Sequence, residues 1–257
     1  MTSADTPCAE GHYCPSGTST PTQYPCPAGN WTYLTNATKA TDCFSCPARS
    51  ACAAGTGGLT NPAEECAAGY YCPEGTQYPT QYACPAGTYS ARTDLASRDE
   101  CLICPAGYYC NIASTAPSGD CQAGYYCVAG STKPTQAPCP AGTYSPTTNL
   151  ERVDQCLACP VGYYCPEAST DYIPHPCPAG YYGNITSLTA SEDCQPCPAG
   201  SYCLTGVTTP SDCSPGNYSN ATASSCAICN AGYYCDLNTT SFDDMVARPC
   251  ENGLSLR

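Results

Sequence analysis

The chain has 257 residues, 27 of them cysteine, and a formal net charge of −13 from 21 acidic and eight basic side chains. That balance argues against nucleic acid and anionic lipid as partners, and no run of 18 or more apolar residues is present to insert into a membrane. Leu, Ile, Val and Phe together number 23, too few for an aliphatic core that offsets about 1–2 kcal/mol per residue of backbone ordering. Cross-links must stand in for that core, and they persist only in oxidising compartments. The expected fold class is therefore small, disulfide-rich and β-poor: an elongated tandem array of cysteine-rich modules, extracellular, secreted or at the cell surface.

A spacing of C-x16-C-x2-C-x5-C organises the cysteines and recurs four times intact. In chain order, residues 1–25, with Cys8 and Cys14, read as the end of a long repeat. Residues 26–83 form a long repeat with Cys26, Cys43, Cys46 and Cys52 and an inserted Cys66–Cys72 segment. Residues 84–138 form another, with Cys84, Cys101, Cys104 and Cys110 and an inserted Cys121–Cys127 segment. Three short repeats follow: 139–176 (Cys139, Cys156, Cys159, Cys165), 177–212 (Cys177, Cys194, Cys197, Cys203) and 213–249 (Cys213, Cys226, Cys229, Cys235), the last with a shortened first loop. Residues 250–257 open a further copy at Cys250. Such periods signal an array in which each unit meets mainly its neighbours. MTSADTPC at the start has neither a basic nor an apolar signal region, so the expectation is a portion of a longer secreted chain.

Within the repeats an aromatic stands five residues after each origin: Trp31, Tyr89, Tyr144, Tyr182 and Tyr218. Eleven after it come Leu95, Leu150 and Leu188, with Ala37 in the first copy. Pro-Ala-Gly after the origin codes a tight turn, because Pro presets φ and Gly accepts positive φ. Gly-Tyr-Tyr-Cys alternates faces in an extended segment, so one ring covers a disulfide while the other meets solvent or the next repeat. Pro and Gly break nearly every run. The prediction is antiparallel strands of two to four residues around TYS and GYYC, with little helix.

Spacing alone leaves the disulfide connectivity open. The economical scheme closes each long loop on itself (Cys26–Cys43, Cys84–Cys101, Cys139–Cys156, Cys177–Cys194, Cys213–Cys226) and each C-x5-C on itself, leaving Cys250 to a partner outside the chain. The rival crosses pairs in the long repeats, Cys46–Cys66 with Cys52–Cys72 and Cys104–Cys121 with Cys110–Cys127.

CPAGTYS…CLxCPAGYYC, at Cys84–Cys110 and, with Val161 for Ala, at Cys139–Cys165, closely resembles the ephrin-receptor-like cysteine-rich repeat, which is related to tumour-necrosis-factor-receptor and EGF-like modules. The resemblance covers nearly the whole chain. It departs at Pro47-Ala48-Arg49-Ser50-Ala51, which lacks Gly-Tyr-Tyr, and at the short Cys213–Cys226 loop. It implies small modules stacked end to end, serving as spacers in receptors or within very large surface proteins of unicellular eukaryotes, and no shared enzymatic activity.

Chemistry-bearing patterns are weighed against plain structure. The C-x2-C pairs lie too far apart for a zinc site and are read as structural disulfides. His12 and His175 are not repeated in sibling copies. Acidic residues cluster before the second cysteine (Asp42, Asp99-Glu100, Asp154, Glu192-Asp193), where turn capping accounts for them better than calcium. The chain is thus expected to be no enzyme and to hold no metal or cofactor. Six N-x-[ST] sequons, at Asn30, Asn36, Asn184, Asn217, Asn220 and Asn238, mark N-glycosylation sites in a secreted protein. Ser- and Thr-rich linkers at 16–21 and 131–138 suit O-glycans.

The preferred role is a glycosylated stalk or the protein core of a surface filament, associating end to end or with other surface proteins. The alternative is a spacer in a receptor or adhesin ectodomain, whose ligand patch would show as exposed aromatic or apolar residues that break the repeat. Phe242 and Met245 are the candidates for such a patch. Carbohydrate binding by tyrosines is a third role compatible with the composition.

Overall fold

A computed structural model describes residues 6–58, 63–236 and 239–250. The structural period is finer than the cysteine spacing suggests. The building block is one hairpin of roughly 16–21 residues, opened by the first cysteine of each bridge. Three such blocks make a long repeat and two make a short one.

Each block starts with a tight turn, runs through two extended residues, loops out, and returns antiparallel just before the next opening cysteine. Thus Tyr70–Tyr71 pairs with Tyr82–Ala83, Thr88–Tyr89 with Leu102–Ile103, Thr143–Tyr144 with Leu157–Ala158, and Tyr181–Tyr182 with Gln195–Pro196. Ser50–Ala51, in the segment lacking Gly-Tyr-Tyr, makes the same pairing with Glu64–Glu65. The closing bond also recurs: the N–H of the next opening cysteine donates to the turn residue, as in Cys46 to the Gly29 carbonyl at 2.8 Å and Cys104 to that of Gly87 at 2.9 Å. Strands this short cannot stand alone; one bridge per hairpin holds them.

Among the described residues thirteen disulfides form, each inside its own hairpin. Cys46 pairs with Cys52, Cys66 with Cys72, Cys104 with Cys110 and Cys121 with Cys127, rather than in the crossed arrangement. Cα–Cα separations of 5.7–5.9 Å lie in the range a bridge spans.

The chain divides into two compact units, Met1–Cys121 with Cys127–Gln136, and Gln122–Tyr126 with Ala137–Arg257. In the first, consecutive hairpins are joined by a repeated set of backbone bonds. The turn N–H of one donates to the next: Gly11 to Thr32, Gly29 to Cys52, Arg49 to Cys72 and Gly87 to Cys110, all at 2.8 Å. In return, Gly55, Gly75 and Ala113 donate to the carbonyls of Cys26, Cys46 and Cys84 at 2.9–3.0 Å. The outer edge of one strand also meets the next hairpin in parallel, Trp31 opposite Thr56 and Tyr71 opposite Leu95.

A third contact skips a hairpin. Gly29 has φ +83°, and a Cβ there would sit 2.5 Å from the Gly75 carbonyl oxygen, two hairpins on. Glycine is required twice over: for the left-handed turn and for the missing atom. Arg49 holds the same slot at φ +80°, at a cost of about 1–2 kcal/mol for a residue with Cβ. Its guanidinium reaches the hairpin two places on, Nη1 donating to the Asp94 carbonyl at 2.5 Å and both terminal nitrogens meeting the Glu100 carboxylate at 3.2 Å.

The second unit repeats the scheme. Gly142, Gly162 and Gly180 donate to Cys165, Gly183 and Cys203 at 2.7–2.8 Å, and Ala168, Ser187 and Gly206 donate back to Cys139, Cys159 and Cys177 at 2.8–3.0 Å. A Cβ on Gly142 would lie 2.6 Å from the Ser187 carbonyl oxygen.

The interior is a series of small sulfur-centred clusters. Leu95 (0 % exposed) packs with Cys84 and Cys101 beneath Tyr71, and Leu188 packs with Cys177 and Cys194 beneath Tyr164 and Tyr181. The second tyrosine of Gly-Tyr-Tyr-Cys therefore covers the bridge of the following hairpin. The described residues contain one short α-helix, Phe242–Val246, capped by Ser241, whose side chain accepts from the Asp244 N–H at 3.0 Å. No helix among them is long and apolar enough to cross a membrane.

Candidate functional site

Of the acidic residues before the second cysteine of a long loop, Asp42 and Asp193 act as caps, whereas Asp154 pairs with the Arg152 guanidinium at 3.1 Å. The Asp42 carboxylate accepts from the Thr38 N–H at 2.8 Å and the Lys39 N–H at 3.2 Å; Asp193 accepts from Thr189 and Ala190 at 2.8 and 3.1 Å. These bonds favour the ionised form. Asp42 is held below the usual carboxylate range mainly by the Thr38 N–H, and Asp193 mainly by the Thr189 hydroxyl. Gln155 makes the same bonds to the N–H groups of Glu151 and Arg152, at 2.6 and 3.1 Å. Gln23 and Gln81 do the equivalent in C-x5-C hairpins. A neutral amide oxygen fills the role as well as a carboxylate, so the position selects an acceptor. Among the described residues no group of three or more His, Cys, Asp or Glu is placed to hold a metal.

The histidines are packed into hairpins. The His12 Nδ1 lies 3.0 Å from the Glu10 carbonyl, and the His175 ring tilts against Tyr164 at 5.4 Å. Cys250 is half-buried and unbridged within the described residues.

The sequons fall into two environments. Asn36, Asn184 and Asn220 are exposed; Asn30 and Asn217 are half-buried on strand residues. The Asn217 amide donates to Ser214, and the Asn220 side-chain oxygen accepts from the Phe242 N–H at 3.2 Å. Asn238 lies outside the described residues.

Of the two patch candidates, Phe242 is 44 % exposed but Met245 is not. Met245 is fully buried and its sulfur accepts from the Asn230 N–H, while Phe242 leans on Tyr218 at 6.3 Å. The helix turns the methionine inward as a plug for the last hairpins.

Aromatic side chains break the pattern in the Cys26 hairpin. Strand pairing sets Trp31 opposite Phe44, and Tyr33 stacks on Phe44 at 5.8 Å and 7°, with Trp31 5.8 Å from Tyr33. Tyr33 is 54 % and Phe44 44 % exposed. A shallow cavity of about 360 Å³ opens beside Trp31 and Tyr33, bounded also by Glu10 and Gly58. Gly58 has no positive φ, yet a Cβ on it would meet Tyr33 Cβ at 2.9 Å and the Trp31 ring at 3.3 Å, so its backbone packs closely against both residues. Sibling hairpins carry Ala91, Pro146 and Asn184 where this one has Tyr33, and Leu102, Leu157 and Gln195 where it has Phe44. The chain's only tryptophan was a signal available in the sequence; its partner rings, eleven residues apart, needed the strand register.

The tandem one-bridge hairpins are cysteine-rich repeats of a kind characteristic of extracellular proteins. No protein-family model matches the chain, and no curated protein sequence matches it.

Proposed function

We propose that this chain is a non-catalytic extracellular spacer: a glycosylated, disulfide-stapled array that serves as a stalk or as the protein core of a surface filament. One observation supports the reading above the others. Within each unit the same backbone bonds join each hairpin to the next, and the turn glycine meets the hairpin after that. Two successive contacts per block resist bending more than a single one would, which suits a part whose task is to hold a distance. The ephrin-receptor-like resemblance of CPAGTYS…CLxC belongs to the same proposal, as do the extended arrangement and association with further copies.

Small-angle scattering of the secreted, oxidised protein is the test. A globule of this length would have a radius of gyration of roughly 18 Å; the spacer reading expects a value well above that, with filaments visible by electron microscopy if copies associate. A value near the globular one defeats it.

A second reading, a spacer inside a receptor or adhesin ectodomain, draws on the Cys26 hairpin, whose exposed rings depart from its siblings. Extended monomers that show no filaments at any concentration would favour it.

A further inference from the structure

We propose that the Trp31–Tyr33–Phe44 cluster is a stacking platform for the first sugar of an N-linked glycan on Asn36. This rests on the reading of the chain as a secreted glycoprotein. The hairpin with three clustered rings is also one that carries two sequons, Asn30 directly before Trp31 and Asn36 three residues after Tyr33. Three residues of chain span at most about 11 Å, within reach of an asparagine side chain extended by one pyranose ring. Asn36 is exposed, and so is the Tyr33 ring.

The chemistry matches. One face of an N-acetylglucosamine ring is a set of C–H bonds, which favours the electron-rich face of an aromatic ring, while its hydroxyls stay in water. Trp31 and Tyr33 also border the shallow cavity of about 360 Å³, which is open to solvent. Glycans at the patch margin also disfavour a docked protein and favour a saccharide occupant. Attachment forms a bond from Asn36 Nδ2 to the anomeric carbon and breaks that carbon's bond to a lipid diphosphate donor. The diphosphate departs and the amide nitrogen loses one proton.

The test uses the full chain secreted from eukaryotic cells, with Asn30→Gln throughout so that one sequon remains beside the rings. Glycopeptide mass spectrometry measures occupancy at Asn36. Melting is then compared for this background and for Asn36→Gln, Tyr33→Ala and both together. The expected result is an occupied Asn36, a melting temperature lowered by roughly 2–4 °C in Asn36→Gln, and less than half that shift when Tyr33 is already Ala. Emission from Trp31 should move to longer wavelength in Asn36→Gln, since the chain has no other tryptophan. Equal shifts in both backgrounds with unmoved emission overturn the platform while leaving the glycoprotein reading intact. An empty Asn36 with other sequons filled also overturns it; no glycan at any sequon defeats the glycoprotein reading itself. Chitotriose that perturbs Trp31 equally in the glycosylated protein and in Asn36→Gln would show a site for free saccharide and overturn the assignment of Asn36 as its source.

Discussion

The Cys66 and Cys84 hairpins are neighbours built on one backbone plan with two ways of stapling it. Both turn at a glycine, Gly69 or Gly87, and both close with the next cysteine's N–H on that glycine's carbonyl, at 2.9 Å in each. The first bridges Cys66 to Cys72, six residues apart, and caps its loop with Gln81. The second bridges Cys84 to Cys101, seventeen apart, takes the first strand and the whole outer loop inside its ring and buries Leu95 against the sulfurs. The bonding ladder therefore defines the block, and the bridge position is a variation on it. What the longer loop adds is a miniature core.

Three experiments sharpen that contrast. The largest difference should come from removing each bridge as an Ala pair. Loop-closure entropy gives about 3 kcal/mol for Cys84–Cys101 and about 2.4 kcal/mol for Cys66–Cys72, and the first also loosens the seat of Leu95. Denaturant unfolding of the two double variants should rank them in that order; the reverse ranking would mean that the loop lengths do not govern the loss.

Next is the turn itself. Gly87→Ala should cost about 2 kcal/mol, from positive φ and from the added atom's approach to the hairpin two places on. Arg49→Gly, the same slot in reverse, should leave stability within about 1 kcal/mol of the parent. It relieves the strained φ and loses ion pairs that are partly solvent-exposed. If Gly87→Ala is silent, the skipped contact carries no weight.

The smallest effect separates acidic from amide caps. The pKa of Asp193 is depressed in the folded chain, so its contribution is present above the unfolded value of about 3.9 and is lost as pH falls through the lower folded value. Amide exchange at Thr189 and Ala190 should therefore rise below about pH 4. The matching amides of Glu151 and Arg152, held by Gln155, should show no such step.

Much of this architecture is written in the spacing. CPAG and GYYC locate the turns and the two-residue strands, because proline, glycine and aromatic preferences act locally. The caps before the second cysteine are legible for the same reason. The one-hairpin period is not, since blocks share only a cysteine, a turn and a length, while the bridge partner changes from one to the next. Arg49 hid one of them by replacing the expected glycine. The double demand on Gly29 is also invisible: a residue needed for φ and a residue needed for space are the same letter. Of the candidate site, Trp31 stood out by rarity, but Tyr33 and Phe44 meet only through register, and Met245 read as exposed because a five-residue helix was not foreseen.

A block closed by its own sulfur bridge is joined to its neighbours largely through peptide groups. Unequal recombination can insert or delete one such link of some eighteen residues and leave both new seams with the same donors and acceptors as the old. The number of blocks can then change in steps smaller than the visible cysteine repeat.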